Sequence, residues 1–233
     1  MFKQFVASSL GRKYLMALTG TILFSFMVVH MLGNFQVLLG PEQINTYAHM
    51  LQSKKPLLWS FRLFLGLMAL THITVGIWLW LDNRRARPDH YRQERTQQAG
   101  LASRTMIYSG ALILAFFVYH ILHFTLRWLN PEFAGFTGRI PGVEEPVADV
   151  YRMMNQGFFD AGVSLTYIVA VALLAWHLSH GIPSLFQSLG LRNDAVSRFL
   201  DRFGWAVAFL LFLGLSIIPA ALFAAVRGAI YLR

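Results

Sequence analysis

The segment TGTILFSFMVVH, residues 19–30, has a counterpart in SGALILAFFVYH, residues 109–120. Each begins with a hydroxyl residue and a glycine, and each ends with a histidine ten residues after the glycine. A second pair of segments, HITVGI at 72–77 and HLSHGI at 177–182, begins with histidine and has a glycine four residues later. We interpret these matches as an internal two-fold repeat, in which the first two long apolar segments correspond to the third and fourth.

The apolar segments that carry these histidines are long enough to cross a membrane. Hydrophobic residues make up 56% of the 233-residue chain and charged residues only 13%, which is too apolar for a soluble domain of this size. A spanning helix needs about 20 apolar residues, and the first segment is too long for a removed signal peptide. We therefore predict an all-α membrane protein, a single transmembrane domain over residues 1–233, with five helices at 14–39, 57–81, 104–129, 156–182 and 203–227.

The basic residues predict the orientation of these helices. Lys and Arg number 20 against 11 Asp and Glu, and most of them fall before the first span or in the loops that alternate spans place on that same side. Because cytoplasmic loops are enriched in Lys and Arg, we predict a cytoplasmic (inner) membrane protein with its N-terminus inside and its C-terminus outside, and no role in nucleic-acid binding. These basic residues are Lys3, Arg12, Lys13, Arg84, Arg85, Arg87, Arg92, Arg95, Arg192, Arg198 and Arg202.

One histidine lies well inside each of the first four predicted spans, and the four fall at two depths. With a helical rise of about 1.5 Å per residue, His30 and His120 both lie about 22 Å from the inner ends of their spans. His72 and His177 lie about 9 to 14 Å from the inner edge. The depths therefore predict two pairs, an outer one and an inner one, about 10 Å apart along the membrane normal.

Two neutral imidazoles suit the axial positions of a haem iron. The chain has no cysteine, which excludes iron–sulfur ligation and the covalent c-type haem motif. A single histidine in a membrane span more often packs by hydrogen bonding, but four at two shared depths within a repeat favour ligation. We predict that the first four helices form a four-helix bundle with two b haems, the outer bound by His30 and His120 and the inner by His72 and His177.

The remaining ionisable residues near the spans carry less information. His123 and His180 each follow a predicted ligand by three residues, so that they could be mistaken for it, although second-layer or interfacial roles suit them better. We expect His90, in the basic loop, to be solvated. The predicted spans contain no deep acid, and Asp82 and Asp160 stand close to the edges, which argues against a proton pump or a proton-coupled transporter.

Several motifs resemble one family of membrane proteins. They are SSLGRKYLMALTG from residue 8, VVHMLGNFQ from 28, INTYAHMLQ from 44, LTHITVGIWLWLDNRRARP from 70, VYHILHF from 118 and WHLSHGIPSLFQSLGL from 176. In their order and spacing, and over nearly the whole chain, they are similar to the cytochrome b subunit of succinate dehydrogenase and fumarate reductase. The form resembled is the single-subunit type with five helices and two haems.

The resemblance implies partners and a place in electron transfer. It implies that the chain anchors a flavoprotein subunit and an iron–sulfur subunit on the cytoplasmic face and exchanges electrons with quinone, here menaquinone. His72 and His177 match the ligands of the haem nearer the iron–sulfur subunit, and His30 and His120 match those of the farther haem. Some relatives that reduce fumarate have an acid two residues before the last ligand, where this chain has Ala175, so the proton path of those relatives is not implied.

The quinone site is predicted from two residues on the outer side. His49, in the loop before the second span, matches a histidine that recurs in similar sequences, and Asp160 begins the fourth span; either could exchange quinone protons. The alternative for His49 is that it caps or packs a short interfacial helix. Near the inner surface, Ser9 and Arg12 could serve an inner site or hold a partner subunit.

We predict an electron-transfer subunit that is not a complete enzyme by itself. The sequence shows no dicarboxylate site, no flavin motif and no iron–sulfur ligands. The basic segments Arg84–Arg95 and Gly190–Arg202 are the predicted docking regions for the soluble subunits. The alternatives are the cytochrome b anchor of a hydrogenase, formate dehydrogenase or nitrate reductase, and a haem-free membrane transporter or assembly protein.

Overall fold

The computed structural model describes residues 8–86 and 101–231, with side chains described as far as residue 225. The chain is mostly helical, and one short hairpin interrupts the helices. The α-helices are α1 Ser9–Asn34, α2 Pro41–Ser53, α3 Lys55–Arg85, α4 Leu101–Arg104, α5 Met106–His120, α6 Val150–Gly157, α7 Ala161–Ser188 and α8 Asp194–Tyr231. The other elements are 3-10 turns at Phe35–Leu39 and Pro131–Gly135, a π turn at Ile121–Thr125, and strands β1 Thr137–Ile140 and β2 Val143–Ala148.

Five helices are long and apolar enough to cross a membrane, and each overlaps one predicted span. They cover Ser9–Leu39, Lys55–Arg85, Met106–Thr125, Ala161–Ser188 and Asp194–Ala225. In each helix, only 6% to 28% of the most apolar stretch is buried inside the protein. Large apolar side chains such as Leu63, which is 70% exposed, therefore face outward, as lipid contact requires. The prediction of a five-helix, multi-pass membrane protein is confirmed.

Several predicted boundaries differ from the structure: α8 begins at Asp194 rather than residue 203, and α7 extends to Ser188 rather than residue 182. Two other differences have local reasons. The third span was predicted to reach residue 129, but the helix ends in the π turn at Thr125, and Arg127 then adopts a positive φ of 58°. The fourth was predicted to begin at residue 156, but α7 begins at Ala161. Asp160 ends the preceding turn and accepts a hydrogen bond from the Val163 N–H at 2.9 Å, which is an N-cap interaction.

The chain divides into two compact units, and each of the five long helices contributes a segment to both. Unit 1 comprises residues 1–26, 62–111 and 174–209, and unit 2 comprises residues 27–61, 112–173 and 210–233. Each unit therefore consists mainly of pieces of the same five helices.

In unit 1, polar contacts join the helix segments. Arg12 of α1 is buried, forms an ion pair with Asp82 of α3, and lies with its guanidinium carbon 4.6 Å from the centre of the Trp78 ring. The indole N–H of Trp176 in α7 donates to the Thr105 hydroxyl at 2.9 Å. These contacts fix α1 against α3 and α7 against the residues just before α5.

Unit 2 contains a β-hairpin that was not predicted from the sequence. β1 and β2 form an antiparallel hairpin in which Thr137 pairs with Ala148, with Gly142 at the turn in a positive-φ conformation of 76°. The buried Asn45 of α2 donates to the Asp149 carboxylate at 3.1 Å and accepts from the Tyr151 N–H at 3.0 Å. The all-α description therefore needs this hairpin added. The buried apolar core of unit 2 comprises Val37, Ile44, Met154, Phe158, Tyr167, Ile218 and Leu222.

Candidate functional site

The four predicted ligands are divided equally between the two units. His72 and His177 belong to unit 1, and His30 and His120 belong to unit 2. Each unit therefore contains one of the pairs that the helix depths predicted. Whether either pair binds haem stays a prediction at this point.

In unit 1, His72 is held by the hydroxyl-glycine dipeptide of α1. Thr19 is almost fully buried, at 2% exposure, and its Oγ1 lies 3.1 Å from Nδ1 of His72. The same hydroxyl donates to the Leu15 carbonyl oxygen at 2.7 Å. A Cβ atom added to Gly20 would lie 3.3 Å from Cε1 of His72, which is closer than most Cβ contacts. The glycine therefore lets the imidazole lie directly against α1.

His177 is held by the second dipeptide in the same way. The buried Ser109 has its Oγ 3.1 Å from Nδ1 of His177, and this hydroxyl donates to the Met106 carbonyl oxygen at 3.1 Å. A Cβ atom added to Gly110 would lie 3.6 Å from Cε1 of His177. The sequence analysis identified both dipeptides only as a mark of the repeat and gave them no role.

These two contacts favour one tautomer of each imidazole. A hydroxyl has one hydrogen, and Thr19 and Ser109 each have a helix carbonyl oxygen within hydrogen-bonding distance to receive it. With the hydrogen placed there, Nδ1–H of the histidine donates to the hydroxyl oxygen. In a neutral imidazole, the proton on Nδ1 leaves an unprotonated lone pair on Nε2, which is the form that binds a metal.

In unit 2, the rings of His30 and His120 lie side by side. Their centroids are 5.8 Å apart and their planes are nearly perpendicular, at 89°. The Asn34 side-chain amide donates to the His30 carbonyl oxygen at 2.7 Å and lies 3.3 Å from Nε2 of His30. Nδ1 of His120 lies 3.3 Å from the hydroxyl oxygen of Tyr167.

His123 and His180, which each follow a predicted ligand by three residues, have different surroundings. His123 lies in the π turn, is 2% exposed, and stacks on Phe124 with ring centroids 4.1 Å apart. His180 lies in α7, with Nε2 3.0 Å from the Ser184 hydroxyl. The sequence analysis favoured second-layer or interfacial roles for both. A second-layer position fits His123, because its Nδ1 lies 3.0 Å from the hydroxyl oxygen of Tyr167.

The residues considered for quinone or for an inner site do not form one cluster. Asp160 is exposed and caps α7, and His49 is half-buried on α2. Arg12 has its charge paired with Asp82 inside the chain, while Ser9 is exposed. The expectation for His90 lies outside the described residues, as do those for Arg87, Arg92 and Arg95.

An open groove in unit 2 was missed by the sequence analysis. It has a volume of about 460 Å³ and runs between α5 and α7. Its lining is mainly apolar, with Phe116 and Val169 among the apolar residues and Tyr119 and Thr166 as polar ones. The Tyr119 ring lies 5.5 Å from that of His123, so the groove is close to the histidines of unit 2.

Within residues 8–86 and 101–231, no group of three or more His, Cys, Asp or Glu side chains is arranged to hold a metal ion. Comparisons of this chain with protein-family models, with curated proteins and with solved structures found no match.

Proposed function

We propose that this chain is a two-haem cytochrome b that passes electrons between soluble partner subunits and quinone in the cytoplasmic membrane. His72 and His177 would hold the inner haem, and His30 and His120 the outer one. The partners proposed are the flavoprotein and iron–sulfur subunits of succinate dehydrogenase or fumarate reductase, and the quinone is menaquinone. When bound, each haem would supply a low-spin iron that exchanges single electrons.

The observation that carries the proposal is the matched pair of contacts Thr19–His72 and Ser109–His177. Both place Nδ1 of the imidazole beside a buried hydroxyl, and in the Nδ1–H tautomer this leaves Nε2 unprotonated. Metal-bound histidines are commonly fixed in this way, because a bond at the second nitrogen orients the ring and raises its basicity.

The residues of unit 2 also fit a bis-histidine centre. The Asn34 amide lies 3.3 Å from Nε2 of His30 as a donor, so this nitrogen is unprotonated, and Asn34 would have to release it before it could bind iron. The centroid separation of 5.8 Å places His30 and His120 as neighbours on two different helices. Gly20 and Gly110 support the fit in unit 1, because each leaves an imidazole ring room against the helix backbone.

The proposed partner surface is the basic side of the chain. Four exposed arginines lie near the end of α3 or the start of α8, on the side that we predict to be cytoplasmic. They are Arg84, Arg85, Arg198 and Arg202. Exposed arginines at this edge suit an acidic protein surface as well as anionic lipid headgroups.

The groove between α5 and α7 supports the quinone part of the proposal, because its apolar lining suits an isoprenoid quinone and it lies near the histidines of unit 2. Val169→Trp would fill the groove, and we expect slower reduction of the haems by a quinol analogue with unchanged haem content. Val29→Trp is the matched control, since Val29 is also exposed on a span and does not line the groove. Equal rates in the two variants would remove the groove from the proposal.

The main test is the haem content of the purified protein, from a pyridine haemochrome spectrum normalised to chain concentration. We expect about two b haems per chain, with low-spin bands in the reduced spectrum. His72→Ala should remove one of them, while His180→Ala, a histidine on a predicted ligand helix, should retain both. Protein without haem from an assembled preparation would refute the proposal and return the chain to the transporter or assembly alternative.

A further inference from the structure

The hydroxyl of Tyr167 lies between two histidines of the preceding long helix. Its oxygen is 3.3 Å from Nδ1 of His120 and 3.0 Å from Nδ1 of His123. Tyr167 is 6% exposed and His123 is 2% exposed, so water does not compete for these bonds. The tyrosine oxygen therefore bridges the half-buried imidazole of His120 and the buried imidazole of His123 in a hydrogen-bonded chain, His120–Tyr167–His123.

The local backbone fixes this arrangement. The π turn at Ile121–Thr125 places His123 toward α7, and single π turns often occur at functional positions. Behind the ring of His123, Gly157 permits close packing, because a Cβ atom there would lie 2.7 Å from Cε1 of Phe124 and 3.4 Å from Nε2 of His123. His123 is therefore stacked on Phe124, with both rings close to Gly157 and with Nδ1 within hydrogen-bonding distance of Tyr167.

Counting the hydrogens shows which group donates in each hydrogen bond of the series His120–Tyr167–His123. If Nε2 of His120 binds iron, Nδ1 carries the proton and donates to the tyrosine oxygen. The single hydroxyl hydrogen of Tyr167 then donates to Nδ1 of His123, which places the proton of His123 on Nε2. Each of the three groups thus has one defined hydrogen position.

We propose that Tyr167 is a positioning residue that, together with His123, sets the reduction potential of the outer haem. This inference rests on the proposed function. A hydroxyl that donates to a further acceptor is itself a better acceptor, so His123 strengthens the bond from His120 to Tyr167. A stronger bond at Nδ1 makes the ligand more basic, and a more basic ligand favours the oxidised iron.

The inner pair has a different second layer. Thr19 and Ser109 donate to carbonyl oxygens of their own helices, so neither hydroxyl continues to another imidazole. Tyr167 passes its hydrogen to a second histidine instead. The chain His120–Tyr167–His123 is therefore expected to separate the potentials of the two haems, lowering the outer one.

The test is a spectroscopic redox titration of the two haems in the full protein, with electron paramagnetic resonance of each low-spin centre. Tyr167→Phe should keep both haems, raise the potential of the outer one and change its resonance, and leave the inner one unchanged. His123→Leu should raise the same potential by less, because the bond from His120 to Tyr167 remains. His123→Asn places an amide oxygen near the former Nδ1 and should restore most of the original value.

Tyr108→Phe is the matched control, since Tyr108 lies on the same helix as His120, is 66% exposed and has no described bond to His120, Tyr167 or His123. An outer potential in Tyr167→Phe equal to that of Tyr108→Phe, with both haems bound, would overturn this inference and leave the haem proposal standing. Absence of haem from the unmodified protein would instead overturn the proposed function. If His123→Asn and His123→Leu shift the potential equally, His123 is not the acceptor in the chain and the inference fails at that residue.

Discussion

Thr19 Oγ1 lies 3.1 Å from Nδ1 of His72, and its own hydrogen is already donated to the Leu15 carbonyl. With that hydrogen on the carbonyl, His72 donates and Thr19 accepts. An identical distance joins Ser109 to His177. The hydroxyl residues that begin the two matched segments, 19–30 and 109–120, thus make similar contacts with two histidines.

We expect Thr19→Val to weaken the inner haem and spare the outer one, because valine keeps the shape of threonine and removes the acceptor. Loss of such a second-layer bond typically costs about 10- to 100-fold in metal-centre affinity. The measurement is haem retention against an excess of a soluble haem-binding protein, and Ser109→Ala should affect the same haem.

Thr21→Val is the control for that comparison. The Thr21 hydroxyl donates to the Ala17 carbonyl oxygen at 2.8 Å, so the variant loses a similar bond within the same helix. Thr21 is exposed, and we expect its variant to retain both haems. Equal haem loss from Thr19→Val and Thr21→Val would show that the imidazole contact has no part in binding.

We expect His30→Ala and His120→Ala to remove the same haem, because their rings are 5.8 Å apart in one unit. The inner haem, which we propose is bound by His72 and His177, should remain in both variants. The two variants should therefore show the same residual spectrum, with one b haem per chain. Residual spectra that differ between the two would contradict the pairing.

The glycines beside the inner pair give a graded prediction. Gly20→Ala would bring a Cβ to 3.3 Å from His72, so the ring must move by a few tenths of an ångström, whereas Gly110→Ala reaches only 3.6 Å from His177. We expect a shifted inner-haem resonance in Gly20→Ala and little change in Gly110→Ala. Gly66→Ala, which meets nothing within 4 Å in α3, should leave both resonances unchanged.

The thermal stability of the glycine variants should be graded in the same way, with Gly66→Ala more stable than Gly20→Ala. Alanine in a helix interior gains roughly 0.5–1 kcal/mol over glycine, and Gly66→Ala should show this gain. The contact with His72 should cancel it in Gly20→Ala. A Gly20→Ala protein as stable as Gly66→Ala, with an unchanged resonance, would mean that the imidazole is not held against α1.

Much of the fold follows from the sequence because lipid leaves few choices. A backbone in hydrocarbon must satisfy its own hydrogen bonds, so the five apolar segments had to be helices. The hairpin was missed, although Pro141-Gly142 is a recognised turn dipeptide and Gly142 does adopt a positive φ. Its strands are short and polar, with Glu144 and Glu145 exposed, and have no strong alternating pattern.

The candidate site was predictable in its histidines and not in what surrounds them. A histidine in an apolar span is rare, so His30 and His177 were conspicuous. Tyr167 was not conspicuous, because a tyrosine in a membrane helix is ordinary. Its contact with His123 depends on the π turn, which places that histidine. A π turn has one residue more than an α turn and no sequence signature that we could use.

The ion pair between Arg12 and Asp82 should stabilise unit 1. The Arg12 side chain is 9% exposed and that of Asp82 is 35% exposed, so solvent weakens their attraction only in part. We expect Asp82→Asn to lower the free energy of unfolding by about 1–2 kcal/mol, because it leaves the buried guanidinium without its carboxylate. The measurement is thermal or denaturant unfolding in detergent.

The pair Arg192–Asp201 is the comparison for this effect. Its side chains are 25% and 50% exposed, so Asp201→Asn should cost only about 0–1 kcal/mol. A larger loss from Asp201→Asn than from Asp82→Asn would contradict the assignment of Arg12 as the anchor between α1 and α3.

In unit 1, α8 packs closely against α7 at Gly204. A Cβ atom there would lie 2.6 Å from Cδ of Pro183 and 3.1 Å from the Ser179 carbonyl oxygen. Proline has no N–H to offer the carbonyl four residues before it, so α8 approaches where α7 lacks a helix bond. Because a proline ring is rigid, we expect Gly204→Ala to destabilise the protein by about 1–3 kcal/mol.

A double-mutant cycle tests whether Pro183 is the cause. Pro183→Ala removes the ring and restores the N–H, so Gly204→Ala should cost much less in that background. Gly181→Ala, in the same helix with nothing within 4 Å, should be neutral or slightly stabilising in either background. If Gly204→Ala lowers the free energy of unfolding equally with and without Pro183, the loss does not come from a clash with the Pro183 ring. The close packing of α8 on α7 would then not depend on the N–H that Pro183 lacks.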